Sequence, residues 1–245
     1  MQTAVRPRTT QQTAGIAMQV VLLAALAPLV GLGPIGWLAG IGYIVGLCGL
    51  LTTAAHRAGV ARLGPADLVT LARAVLVGGV TALAADGVST GDSSAVALVA
   101  LATVALVLDG VDGQVARRSG TSSALGARFD MEVDSFLVLV LSVHVALMLG
   151  PWVLAIGAMR YLFVAVSWVA PWLRAPLPPR YSTKAVAAAQ GIVLVVATAD
   201  LLPRVIAAVL VALSLGVLVW SFGRDVLRLW RNAQDEPARR SGPPR

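Results

Sequence analysis

Between Leu108 and Phe136 the chain reads LDGVDGQVARRSGTSSALGARFDMEVDSF, four aspartates and one glutamate set in some of its most apolar sequence. Asp109 and Asp112 stand at i,i+3, and Asp130 and Asp134 at i,i+4. Those are the spacings that bring helical side chains onto one face. Two such faces meeting would gather four carboxylates, a set able to hold hard cations or to take a proton from a hydroxyl. Glu132, two residues beyond Asp130, points off that face.

An ionised carboxylate near mid-membrane costs on the order of 2.5–3.5 kcal/mol even on the lenient insertion scale, so four together require positive charge among them. Arg117 and Arg128 can supply it, yet divalent cations satisfy clustered carboxylate oxygens better, and no His or Cys accompanies the acids to favour zinc. Mg²⁺ is the expected ion, with Mn²⁺ next, and two ions spanned by carboxylates suit phosphoryl chemistry. Gly110, Gly113 and Gly126 remove side chains beside the aspartates. In a helix each costs roughly 1 kcal/mol relative to Ala unless something comes close, such as a nucleotide or another helix. The plainer account is small-residue helix packing around a structural ion-pair network.

The elements that carry these residues are membrane spans. At 58% hydrophobic and 13% charged, the 245-residue chain lies outside the range of soluble domains. Eight apolar stretches approach the roughly 20 residues needed to cross a ~30 Å hydrocarbon core. They fall near 16–32, 35–54, 67–86, 94–117, 124–149, 151–173, 183–200 and 203–223. The first two flank GLGPIG and are compatible with a tight hairpin as well as with two full spans. The fold class is all-α, a polytopic transmembrane helix bundle.

At ~1.5 Å per residue, Asp109 lies ~21 Å and Asp112 ~26 Å along a helix entering from the outer side near Ala95. In the returning helix Asp130 is ~9 Å and Asp134 ~15 Å from its start near Ala124. The two counts bring all four acids to similar depths, near one membrane face.

Arg and Lys identify that face. Arg6, Arg8, Arg57, Arg62, Arg117, Arg118, Arg174, Arg180 and the tail GRDVLRLWRNAQDEPARRSGPPR fall on one side. By the positive-inside rule, both termini and the VARRSGTSS loop are expected to be cytoplasmic in an integral protein of the plasma membrane. The formal net charge of +7 is thus explained by membrane lipids, without nucleic acid. One cysteine, Cys48, excludes an intramolecular disulfide and a CxxC zinc site. Arg6 and Arg8 precede an apolar segment that no small-x-small cleavage site ends, so a retained helix is expected. Three regions result: 1–62, a cytoplasmic N-terminus and extra hairpin; 63–231, a catalytic core; and 232–245, a basic tail rich in Pro, Arg and Ser, expected to be disordered.

Asp109-x2-Asp112-Gly113-x2-Ala116-Arg117-x8-Gly126-x3-Asp130-x3-Asp134 resembles the complete signature of the CDP-alcohol phosphotransferases, with all eight fixed positions filled. The resemblance implies a six-helix membrane core, matching the spans from 67 to 223, with the hairpin outside it. It implies transfer of a phosphatidyl or related group from a CDP-linked lipid to an alcohol, releasing CMP. By the same resemblance Asp109, Asp112 and Asp130 hold the divalent metals, and Asp134 completes the metal site or serves as base. Gly113, Ala116, Arg117 and Gly126 then line the cytidine and diphosphate pocket. PADLVTLARAV is similar to the Thr-x-x-Arg that opens the family's first core helix, which directs Thr70 and Arg73 toward the donor.

The acceptor is read from basic residues. Arg160 lies near the middle of its span, too deep to snorkel, and a buried guanidinium wants an anion: an acceptor phosphate or an aspartate of the cluster. Lys184 and Gln190 are similar to an element of the glycerol-phosphate-using branch, with Val186 where that branch often has a further lysine. Arg180 and Lys184 join Arg160 as candidate acceptor contacts, although Arg174, Arg180 and Lys184 also follow from the positive-inside rule. A phosphorylated polyol such as glycerol 3-phosphate or inositol phosphate is the expected acceptor.

His144, in the outer half of its helix, reads as a packed or pore-facing residue rather than a ligand. Trp152, Trp168, Trp172, Trp220 and Trp230 mark span ends as an aromatic belt would. The Gly-rich second span reads as close packing within the chain, with a homodimer contact as the alternative. A cation transporter would distribute acids along a path across the membrane, whereas these crowd one side. A silent scaffold would be free to lose an aspartate.

Overall fold

With no water in the hydrocarbon core, long apolar segments must satisfy their backbone N–H and C=O groups internally, which leaves the helix as the local solution here. The computed structural model describes residues 8–58, 65–90, 94–119, 124–170, 172 and 181–240. Among them are eight α-helices and no strand: α1 Arg8–Val30, α2 Pro34–Ala58, α3 Pro65–Thr90, α4 Ala95–Ser119, α5 Ala124–Leu149, α6 Leu154–Val169, α7 Tyr181–Thr198 and α8 Arg204–Arg240. A short 3-10 turn, Pro151–Val153, leads into α6. The all-α membrane bundle expected from composition is the observed fold.

Among the described residues, six helices are long and apolar enough to cross a membrane, and the apolar parts of α4 and α7 are shorter, Ala95–Gly110 and Ala185–Thr198. Each of the first two stretches, Gln12–Val30 and Pro34–Thr53, is by itself long and apolar enough to cross, and a tight turn joins them. Gly31 takes φ +68° in that turn, a backbone conformation that strains residues bearing a Cβ. Helix α8 runs from its apolar span past Asn232 to Arg240. A helix already propagated through its membrane span adds further turns without a new nucleation cost.

Helix α3 is the axis of the bundle. Two-thirds of its span (67%) is buried, against 17–39% in the other five long spans. α1, α2, α4 and α5 pack on it, and α7 joins α4, α5 and α8. The N-terminal hairpin shares this interior: Leu23, Leu26, Ile44 and Leu47 belong to the same apolar cluster as Val77, Val80, Leu98 and Leu141. Where Gly78 of α3 lacks a side chain, the amide of fully buried Gln19 from α1 fills the space. The N–H of Gly33 donates to Oδ1 of Asp86 on α3 at 3.1 Å, which places a carboxylate at the start of α2, where the helix dipole favours it. Gln12 of α1 donates from Nε2 to Oγ1 of Thr52 on α2 at 3.0 Å, closing the other end of the hairpin.

Candidate active site

The N-terminal part of α3, the C-terminal part of α4 and the N-terminal part of α5 lie at one end of the bundle, where α4 and α5 each pack on α3. Asp109, Asp130 and Asp134 meet there, each offering an oxygen within 4.8 Å of the others. The i,i+4 pair of α5 and the single residue of α4 thus form one cluster, as helical spacing and the depth counts anticipate. Asp112, Gly113, Ala116 and Arg117 continue along α4, but their side chains lie outside the described residues.

The counter-charge comes from Arg73 on α3. Its Nη1 is paired with Asp109, and its Nη2 with Asp130 and, at 3.0 Å, with Asp134. Nη2 also donates to the backbone carbonyl of Asp130 at 3.2 Å. The Arg73 side chain is 1% exposed, while those of Asp109, Asp130 and Asp134 are 35–40% exposed. The guanidinium therefore neutralises the acids from beneath, and each carboxylate keeps an open face. Arg128, one of the two cations anticipated for this task, is exposed on α5, and the other, Arg117, is outside the described side chains. Thr70 is buried on α3, one turn before Arg73, and Gly126 is half-buried in the first turn of α5. A Cβ at Gly110 would meet nothing within 4 Å, so this glycine leaves open space beside the acids rather than a tight helix contact.

Among the described residues, Arg160 on α6 pairs with no aspartate of the cluster. It pairs with Glu132, the α5 acid that points off the aspartate face, and its Nη1 lies 2.6 Å from Sδ of Met131. Lys184 is on α7, with its side chain outside the described residues, and Arg180 lies in 173–180, wholly outside them. Gln190 is buried and engaged elsewhere: its Nε2 donates to the Ser214 carbonyl at 2.8 Å and its Oε1 accepts from Ser214 Oγ at 3.0 Å. It clamps α7 to α8. His144 is buried in the C-terminal half of α5, away from the acids.

The three oxygen donors, with no nitrogen or sulfur among them, match the preference of hard divalent cations of the Mg²⁺ class. Arg73 takes Oδ1 of each carboxylate, and a cation would approach from their open face.

Fold and site define a polytopic membrane protein with an acidic, cation-compatible centre at one end of a helix bundle. Residues 63–220 match the family model of the CDP-alcohol phosphatidyltransferases, and the chain belongs to that transferase family. No curated protein and no solved structure matches the chain. The hairpin α1–α2 lies outside the matched region, and the acidic cluster lies within it.

Proposed function

We propose that the protein transfers a phosphatidyl group from a CDP-activated lipid such as CDP-diacylglycerol to an alcohol, releasing CMP, as a step of phospholipid biosynthesis. The observation that carries this reading is the convergence of Asp109, Asp130 and Asp134 in the matched region, on two antiparallel helices. These three, with Asp112, would hold one or two Mg²⁺ or Mn²⁺ ions, which when bound neutralise the donor diphosphate and the departing CMP. Gly113, Ala116, Arg117, Gly126 and Thr70 serve the CDP moiety, and Arg73 orients the acids that face it.

In the reaction Asp134 takes the proton of the acceptor hydroxyl. The hydroxyl oxygen forms a bond to the phosphatidyl phosphorus while the bond from that phosphorus to the CMP oxygen breaks. CMP leaves with the electron pair. The protein's part is to position the two substrates and hold charge in a site of low polarity. By the positive-inside rule, the Arg-rich sequence between the spans supports a site at the cytoplasmic face, with both termini on that side.

The acceptor we favour is a phosphorylated polyol, glycerol 3-phosphate or inositol phosphate, met by Arg160 with Lys184 and Arg180. The ion pair between Arg160 and Glu132 favours a second reading, an acceptor without phosphate, because it already satisfies the guanidinium. CMP release by the purified protein with CDP-diacylglycerol and Mg²⁺, one acceptor per reaction and an EDTA control, tests both. Release with one acceptor, abolished by EDTA, is the expected result. No release with any acceptor removes CDP-diacylglycerol as the donor.

A further inference from the structure

Tyr43 stands on α2, outside the region that matches the family, and its ring packs on the helix that carries Asp130 and Asp134. Its ring stacks on Phe136 of α5, with centroids 4.8 Å apart and planes inclined at 28°. Phe136 is two residues beyond Asp134. Tyr43 also lies within electrostatic range of Arg73, Asp134 and Tyr161, which stand on α3, α5 and α6. Its hydroxyl is buried and makes no hydrogen bond among the described residues. A buried hydroxyl without a partner is costly, and native structures supply one from the protein, from water or from a ligand. The stack on Phe136 restricts the ring to one orientation, which fixes where the hydroxyl is presented.

We infer that Tyr43 is a substrate-positioning residue supplied by the N-terminal hairpin, whose hydroxyl donates a hydrogen bond to a phosphate oxygen of the ligand held beside Asp134 and Arg73. The inference rests on the function proposed above. The hydroxyl is a neutral donor, and Arg73 already holds Asp109 and Asp134. An anionic phosphate oxygen is the acceptor that such a donor matches, whether it belongs to the donor diphosphate or to a phosphorylated acceptor. On this account the hairpin is part of the active site, and α2 brings a group that the core helices lack.

Tyr43→Phe keeps the ring and its stack and removes only the hydroxyl. The test compares wild type and this variant as full chains with Mg²⁺ and CDP-diacylglycerol, with glycerol 3-phosphate or inositol phosphate as acceptor. KM for each substrate, kcat, donor Kd and thermal stability are read together. The expected result is a KM raised about tenfold for one substrate, at near wild-type stability, as loss of a hydrogen bond to a charged group requires. A rise in donor KM and Kd assigns the bond to the diphosphate, and a rise in acceptor KM alone assigns it to the acceptor phosphate. An active wild type with a variant indistinguishable from it in both KM values overturns the inference and leaves the proposed function standing. A wild type that releases no CMP with either acceptor overturns the proposed function, and the inference with it.

Discussion

Nη2 of Arg73 on α3 stands 3.0 Å from Oδ1 of Asp134 on α5, and the same guanidinium holds Asp109 and Asp130. A single cation on the bundle's axial helix thus balances acids from two others. Removing it leaves three partly buried carboxylates facing one another. Arg73→Ala is expected to lose about 3 kcal/mol, the low end for breaking a buried ion pair because the carboxylates are partly exposed. Mg²⁺ is expected to raise the melting temperature of this variant more than that of wild type, since the ion takes over the missing charge. Detergent-solubilised thermal melts with and without Mg²⁺ measure both. Equal melts for variant and wild type would show that Arg73 is not the counter-charge of the cluster.

The acids themselves are tested by removing charge without changing shape. Asp109→Asn, Asp112→Asn and Asp130→Asn are each expected to lower CMP release at least about a hundredfold, since a bound ion supplies several kcal/mol of transition-state stabilisation. Each variant should remain folded by thermal melt and bind Mn²⁺ more weakly by electron paramagnetic resonance. Wild-type turnover from any of the three would take that residue out of the metal site.

Arg160 and Glu132 separate two accounts of the acceptor. If the guanidinium meets an acceptor phosphate, Arg160→Ala raises acceptor KM about tenfold or more while donor KM stays near wild type. Glu132→Gln should then leave acceptor KM unchanged or lower it, because it releases Arg160. If the pair is structural, both single variants and the double variant lose stability to the same degree, with no preference between substrates.

Two glycines give opposite expectations for packing. A Cβ at Gly157 of α6 would lie 2.5 Å from the Leu139 Cα of α5, a backbone atom that cannot swing aside. Gly157→Ala is therefore expected to destabilise, because overpacking of about 1–3 kcal/mol outweighs the ~1 kcal/mol gained in helix propensity. Gly46→Ala of α2 meets nothing within 4 Å and should be neutral or stabilising by up to about 1 kcal/mol. Melting temperatures in one detergent decide the pair, and a stabilised Gly157→Ala would contradict the close approach of α5 and α6.

Much of this molecule was legible before any coordinates. Length and apolarity of each run determine that it forms a helix, because a backbone in hydrocarbon has no other local way to satisfy itself. Period and rise determine that Asp130 and Asp134 share a face and meet Asp109 near one end, as their oxygens do. Glu132 was excluded from that face by the same rule, and it does point elsewhere.

The tertiary structure decided which helix stands beside which. Apolar residues surround most of these helices because lipid is as apolar as a protein interior, so the pattern along one helix does not name the face that meets a neighbour. Arg73 shows the consequence. Counting from Pro65 places it ~12 Å along α3, the same depth as the acids, yet only the lateral arrangement of α3, α4 and α5 makes it their shared partner. Depth is a property of sequence position, whereas adjacency between spans, including that of Tyr43 with Phe136 and of Arg160 with Glu132, arises only when the bundle packs.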